Sequence, residues 1–230
     1  MKLDVATFNA ISVTIFVISA VIATCMSSFL PQIKALRTWG IGFAMMSLSI
    51  LVYAASAAWH VDYLLVPAAA LNLQYRLLTW SSIRILLGRR ARHRTGVAIS
   101  TIFCMSYGAV FVLDMSLVCR AMLLALFFVP ARIMLIRAVS LRQCGNLSVG
   151  RALIAVASGI LVINACVPLA LAWLGRGKSS MLIGSPSDTS IWYCIVFASD
   201  LLLIIGLAAL AIQRIAAEKS SLAFVDRWIA

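Results

Sequence analysis

Charge is scarce in this chain. Only 11% of its 230 residues are Asp, Glu, Lys or Arg, against about 25% in a soluble domain, so no large water-facing domain fits. Acidic residues are the scarcest, seven against 19 Lys and Arg, and no two of them sit together in a loop as an acid/base couple requires. There are two histidines and no H-E-x-x-H, P-loop or nucleophile elbow, which leaves hydrolytic and nucleotide chemistry without a motif. No C-x-x-C spacing supports a metal or redox role for the six cysteines. No segment alternates strictly between apolar and polar residues, which argues against a transmembrane β-barrel. The N-terminus has a single Lys2 and no basic n-region. Its first apolar run exceeds the roughly 7–15 residues of a signal peptide, so that run is expected to stay as a span.

Apolar residues are what the chain has in excess: 63% of the total, with a mean hydropathy of +1.06. An integral membrane protein follows, because such a composition has too little polar surface to face water. A span needs roughly 20 apolar residues, and seven candidates can be read, at about 8–30, 39–59, 62–83, 97–113, 116–137, 152–174 and 190–212. The fourth and fifth form one apolar run, divided here at a turn at Asp114-Met115-Ser116. The predicted fold is therefore an all-α, polytopic helical membrane protein, with residues 1–213 as the transmembrane domain and 214–230 as a short cytoplasmic tail.

The net charge of +12 would point to nucleic acid on a soluble protein, but its positions explain it better. Lys34 and Arg37, then Arg84, Arg89, Arg90, Arg92 and Arg94, then Arg137, Arg142 and Arg151, then Arg214, Lys219 and Arg227 all fall at one set of span ends. The loops of the other side hold only Lys2, Arg176 and Lys178. The positive-inside rule sets the first group in the cytoplasm, giving an outer N-terminus, an inner C-terminus and an odd number of spans. Trp39, Trp59, Trp80, Trp173 and Trp192 fall at span ends, where headgroup-level tryptophans are expected. Cys25, Cys104, Cys119, Cys166 and Cys194 lie in or beside apolar segments and are expected to be free thiols, as is Cys144 in a basic loop.

A few polar residues interrupt the spans. Asp200 falls near the middle of the seventh, where an ionised Asp costs about 2.5–3.5 kcal/mol, so it is expected to face the bundle as a ligand, proton or signal-coupling site, or as a protonated group bonded to a neighbouring helix. Arg120, near the outer end of the fifth span, reaches towards Asp200 or back to Asp114, or extends to the headgroups. Asn72, Gln74, Tyr75 and Arg76 form a polar band in the third, with Asn72 and Arg76 on one face. Interhelical hydrogen bonding accounts for that band, with ligand contact as its alternative. His60 and Asp62 amount to half a metal site, too few ligands to define one; the run from Arg89 to Arg94 follows from topology, and Asn146-Leu147-Ser148 is a glycosylation sequon on the wrong side. Pro67, Pro130 and Pro168 lie within spans and are expected to kink them. No metal or cofactor is expected.

Leu3-Asp4-Val5-Ala6-Thr7 precedes the first span, Thr38-Trp39-Gly40-Ile41-Gly42 opens the second, and the third runs from Asn72 through Tyr75-Arg76 and Arg84 to Leu87-Gly88-Arg89-Arg90. This order resembles the N-terminal membrane sensor region of bacterial diguanylate cyclases of the GGDEF family. The tail, Glu218-Lys219-Ser220-Ser221-Leu222-Ala223-Phe224-Val225-Asp226, is similar to the linker that leads into a GGDEF domain, and the chain then reads Arg227-Trp228-Ile229-Ala230. The resemblance implies an input region truncated before its catalytic domain. The family's GTP- and metal-binding residues belong to that domain, so none is carried to a position here, and no enzymatic activity is expected.

These readings converge on a sensory or signalling module of the bacterial inner membrane. Its expected partners are the lipid bilayer and a homodimer or a partner signalling protein, with Ser199, Gly206 and Ala209 as the dimer face on the seventh span. The rival expectation is a small transporter or permease subunit that uses Asp200 and Arg120.

Overall fold

The structure, a computed structural model, describes residues 5–140, 148–174 and 190–229. Among them every regular element is helical: α1 (Val5–Phe29), α2 (Lys34–Trp59), α3 (Leu65–Leu86), α4 (His93–Val112), α5 (Leu117–Ser140), α6 (Val149–Trp173) and α7 (Ser190–Ile229), with a single 3₁₀ turn at Asp62–Leu64 before α3. Lys2, Arg142, Cys144, Asn146, Arg176 and Lys178 lie outside the described residues, as does the side chain of Trp192.

Left-handed or tight backbone ends these helices where the chain must reverse. His60 closes α2 with φ 55°, its N–H donating to the Ser56 carbonyl, while the Ser56 hydroxyl donates to the carbonyl of Val61 at 3.0 Å. Gly88 follows α3 with φ 74°, a conformation that favours glycine because it has no Cβ. Asp114 takes φ 44° between α4 and α5, so the long apolar run does break at the expected turn; Asp tolerates this conformation better than most residues.

Six of the helices, all but α3, are long and apolar enough to cross a membrane. They make this a multi-pass helical bundle whose outside is apolar: Ile18, Val21, Met105, Ile163 and Ile212 are all more than half exposed. The third expected span coincides with α3, which is long enough at 22 residues but is diluted by Asn72, Gln74, Arg76, Thr79, Ser81 and Ser82. The protein resolves this by enclosing α3. Gln74, Arg76, Thr79, Ser81 and Ser82 are all buried, and α3 packs against α2, α4 and α5.

The helices form a ring in which α1 packs on α2, α2 on α3, α3 on α5, α5 on α6, α6 on α7, and α7 returns to α1; α4 lies against α3 and α5. One core runs through α1, α2, α3, α5, α6 and α7 around Phe16, Phe43, Tyr75, Leu203 and Leu207. A second joins α3, α4 and α5 around Leu73, Phe103, Tyr107 and Phe128.

Three expectations need correction. Trp39 and Trp80 are core residues, 4% and 7% exposed, because α2 begins at Lys34 and α3 continues to Leu86; Trp59 and Trp173, at helix ends, are exposed. Pro67 stands in the first turn of α3, where its missing N–H costs no helical bond. Gly206 is not free for a second copy, because its backbone meets α6 at Gly150. A Cβ added at Gly206 would lie 3.1 Å from the Gly150 carbonyl oxygen and 2.8 Å from Ile154 Cγ1. The tail after the last span is helical, as its likeness to a helical linker implies: α7 continues as one helix to Ile229.

Candidate functional site

The polar band of α3 turns inward because the bundle surrounds it. Gln74 accepts a hydrogen bond at 2.7 Å from Ser100 of α4, and the Ser81 hydroxyl lies 3.3 Å from His93 Nδ1 at the start of α4. Tyr75 is fully buried, edge-on to Phe16 at 5.7 Å between ring centroids. The guanidinium of Arg76 sits 4.8 Å from the Tyr75 ring centroid, so the preceding residue provides an aromatic face for its charge.

Arg76 crosses the interior to Asp200 of α7. Arg76 Nη1 donates to Asp200 Oδ1 at 2.8 Å, and the two side chains are only 3% and 7% exposed. Charge pairing offsets part of the desolvation that either group would suffer alone. The sequence identified both residues but not their partnership. Arg120, read as a candidate partner for Asp200, instead donates from Nη2 to Asp114 Oδ1 at 2.9 Å and packs over Phe111. It stands one turn into α5 beside the α4–α5 turn, too near the bundle end to serve Asp200.

A cavity of about 330 Å³ lies between the helices and reaches Asp200 of this pair. Phe8 and Phe16 of α1, Tyr53 of α2, Phe128 of α5 and Phe197 of α7 give it an aromatic wall. Its polar lining includes Asn9 and Ser12 of α1, Ser49 of α2, Asn72 of α3, Arg132 of α5, Asn164 of α6 and Asp200 of α7. Phe8 of α1, Tyr53 of α2 and Asn72 of α3 lie towards the N-terminal end of α1 and the α2–α3 turn, whereas Arg132 lies past the middle of α5, away from the α4–α5 turn.

Arg132 and Asn164 are site residues that sequence reasoning missed. Arg132 is 7% exposed; its Nη1 donates to the carbonyl of Leu161 on α6, while its Nε is buried without a partner. No carboxylate among the described residues pairs with it. Asn72 Oδ1 and Asn164 Oδ1 are likewise buried without a partner. The signal available was helical spacing: Ala121, Phe128, Ala131, Arg132 and Leu135 share the buried face of α5. A helix apolar all round hides that face from a sequence reading.

No protein-family model matches the chain, and neither a curated protein nor a solved structure matches it.

Proposed function

We propose that the chain is a seven-span sensory module of a bacterial inner membrane, which receives a small ligand in the cavity between its helices and passes the change to α7. The observation that carries this reading is the Arg76–Asp200 pair. It ties α3 to α7 beside the cavity, and α7 continues without a break for 40 residues, so an event at the cavity has a stiff element through which to travel. The enclosure of α3 by α2, α4 and α5 supports counting it as the seventh span. The basic span ends support a cytoplasmic C-terminus. The resemblance to the input regions of GGDEF-family diguanylate cyclases suggests what α7 drives, an output domain beyond the membrane. The chain itself is assigned no reaction.

The test is a fusion of the full chain, after Ala230, to an active diguanylate cyclase domain through linkers that step one residue at a time over seven positions. At matched expression, Asp200→Asn is expected to change cellular cyclic di-GMP in at least one register. Output that is unchanged by Asp200→Asn in every register overturns the reading. The second reading, a small transporter, draws on the same observation that buried charges line a cavity inside the bundle. It predicts solute flux into proteoliposomes, which the sensor reading does not.

A further inference from the structure

The buried charges of the cavity do not cancel. Arg76 and Asp200 neutralise each other at 2.8 Å. Arg132 lines the same cavity as Asp200. Two cations and one anion leave a net positive charge among these buried groups. Among the described residues the only acceptor bonded to Arg132 is the Leu161 carbonyl, a neutral group. A guanidinium presents five donors; here Nη1 is engaged and Nε is buried without a partner.

A purely structural Arg132, acting as a strap from α5 to α6, accounts for the Leu161 bond but not for the remaining donors or for its position on a cavity wall. An isolated buried charge is costly, and a bound anion is the species that relieves that cost. The rest of the wall defines the body of such an anion. Phe8, Phe16, Tyr53, Phe128 and Phe197 offer an aromatic surface, and Phe8 and Phe197 meet edge-to-face at 6.3 Å between centroids. At about 330 Å³ the space is at the small end of ligand sites, with room for one ring or a short chain. Asn72 and Asn164 add side-chain amides at the polar end, and an amide turned over presents its NH₂ to an anion.

We infer that the cavity binds a small organic carboxylate with an apolar body, its carboxylate on Arg132 and its body against the aromatic wall. This names the ligand class for the site on which the sensory reading rests. The shared chemistry admits two sources, a water-soluble acid or a fatty acid from the bilayer, and the probes below separate them.

The experiment measures equilibrium binding of radiolabelled benzoate to the full chain in phosphatidylcholine nanodiscs, with its neutral isostere benzamide as competitor. Saturable binding at about one site per chain is expected. Benzamide should compete at least about 10-fold more weakly, since a hydrogen bond to a charged group contributes about 1.5–3 kcal/mol. Arg132→Gln should weaken benzoate about 10- to 100-fold on the same grounds; Arg132→Lys should retain part of the affinity, and Arg120→Gln, away from the cavity, all of it. Carboxyl-¹³C laurate in the disc lipid is the second probe. A carboxyl resonance shift that disappears in Arg132→Gln, without saturable benzoate binding, would keep the carboxylate class and assign its source to the bilayer. Equal competition by benzamide, unchanged benzoate affinity in Arg132→Gln, or no specific binding of either acid would overturn the inference. The benzoate–benzamide comparison uses the unaltered chain and so holds even where a variant fails to fold. Because binding is measured without any output domain, benzoate that binds yet leaves the cyclase fusion's output constant would count against signalling and not against the ligand class.

Discussion

Arg76 and Asp200, 124 residues apart in the chain, meet at 2.8 Å inside the bundle although their helices are not packed neighbours around the ring. Removing one member strands the other as a buried charge, which costs about 3–5 kcal/mol. Arg76→Met is therefore expected to lower the thermal midpoint of the detergent-solubilised protein sharply, while Arg76→Met with Asp200→Leu recovers most of the loss. A double variant no more stable than Arg76→Met would refute the strut.

The second ion pair behaves differently. Asp114 is 96% exposed in its contact with Arg120, and an exposed pair contributes about 0–1 kcal/mol. Asp114→Asn should leave the midpoint nearly unchanged, and a large drop would show that the turn needs the charge.

The crossing of α6 and α7 leaves no room for a side chain at its centre. In Gly206→Val a Cβ would approach the Gly150 carbonyl oxygen at 3.1 Å and the Ile154 amide nitrogen at 3.1 Å, both backbone atoms that cannot swing aside. Overpacking costs about 1–3 kcal/mol or more, so this variant should accumulate poorly and elute broadly by fluorescence size exclusion. Ala208→Val, on the exposed face of the same helix, should behave as the parent.

The hydrogen bond between Ser100 and Gln74 joins α4 to the enclosed α3 at 2.7 Å. Ser100→Ala is expected to cost about 1 kcal/mol, measured as a small shift in denaturation midpoint, and to be largely suppressed in the presence of Gln74→Leu, which removes the orphaned partner.

Fusions can count the crossings. A fluorescent protein attached after Arg90 or after Ala230 should fluoresce, and an alkaline phosphatase attached after Ser116 should be active. Phosphatase activity after Ala230 would contradict the seven-span orientation.

Much of the fold was legible because length and hydropathy alone define apolar helices, and the turn at Asp114 could be found from one polar residue in a long apolar run. The site was half legible. Asp200 and Arg76 stand out as charges within spans, but which charge meets which depends on the order of helices around the ring, and no local pattern encodes that. Arg120 was the more visible partner and the wrong one for Asp200. Arg132 was overlooked because it sits near a span end where arginines ordinarily reach the headgroups; burial turned it inward. Trp39 and Trp80 misled for the same reason in reverse, since their positions suggested an interface while longer helices carried them into the core.

The polarity of α3 bears on how the protein is made. An arginine at the middle of a helix opposes insertion by about 2.5–3.5 kcal/mol, and α3 adds Asn72, Gln74 and several hydroxyls to that burden. Its chain neighbours, α2 before it and α4 after it, are at hand during synthesis, but the carboxylate that neutralises Arg76 is translated 124 residues later. Until α7 arrives, α3 has to be held by its neighbours or by the insertion machinery with a charge still unanswered. On the seven-span reading, biogenesis of this bundle ends with the closing of a long-range latch, and a defect in α7 should betray itself as a failure to retain α3.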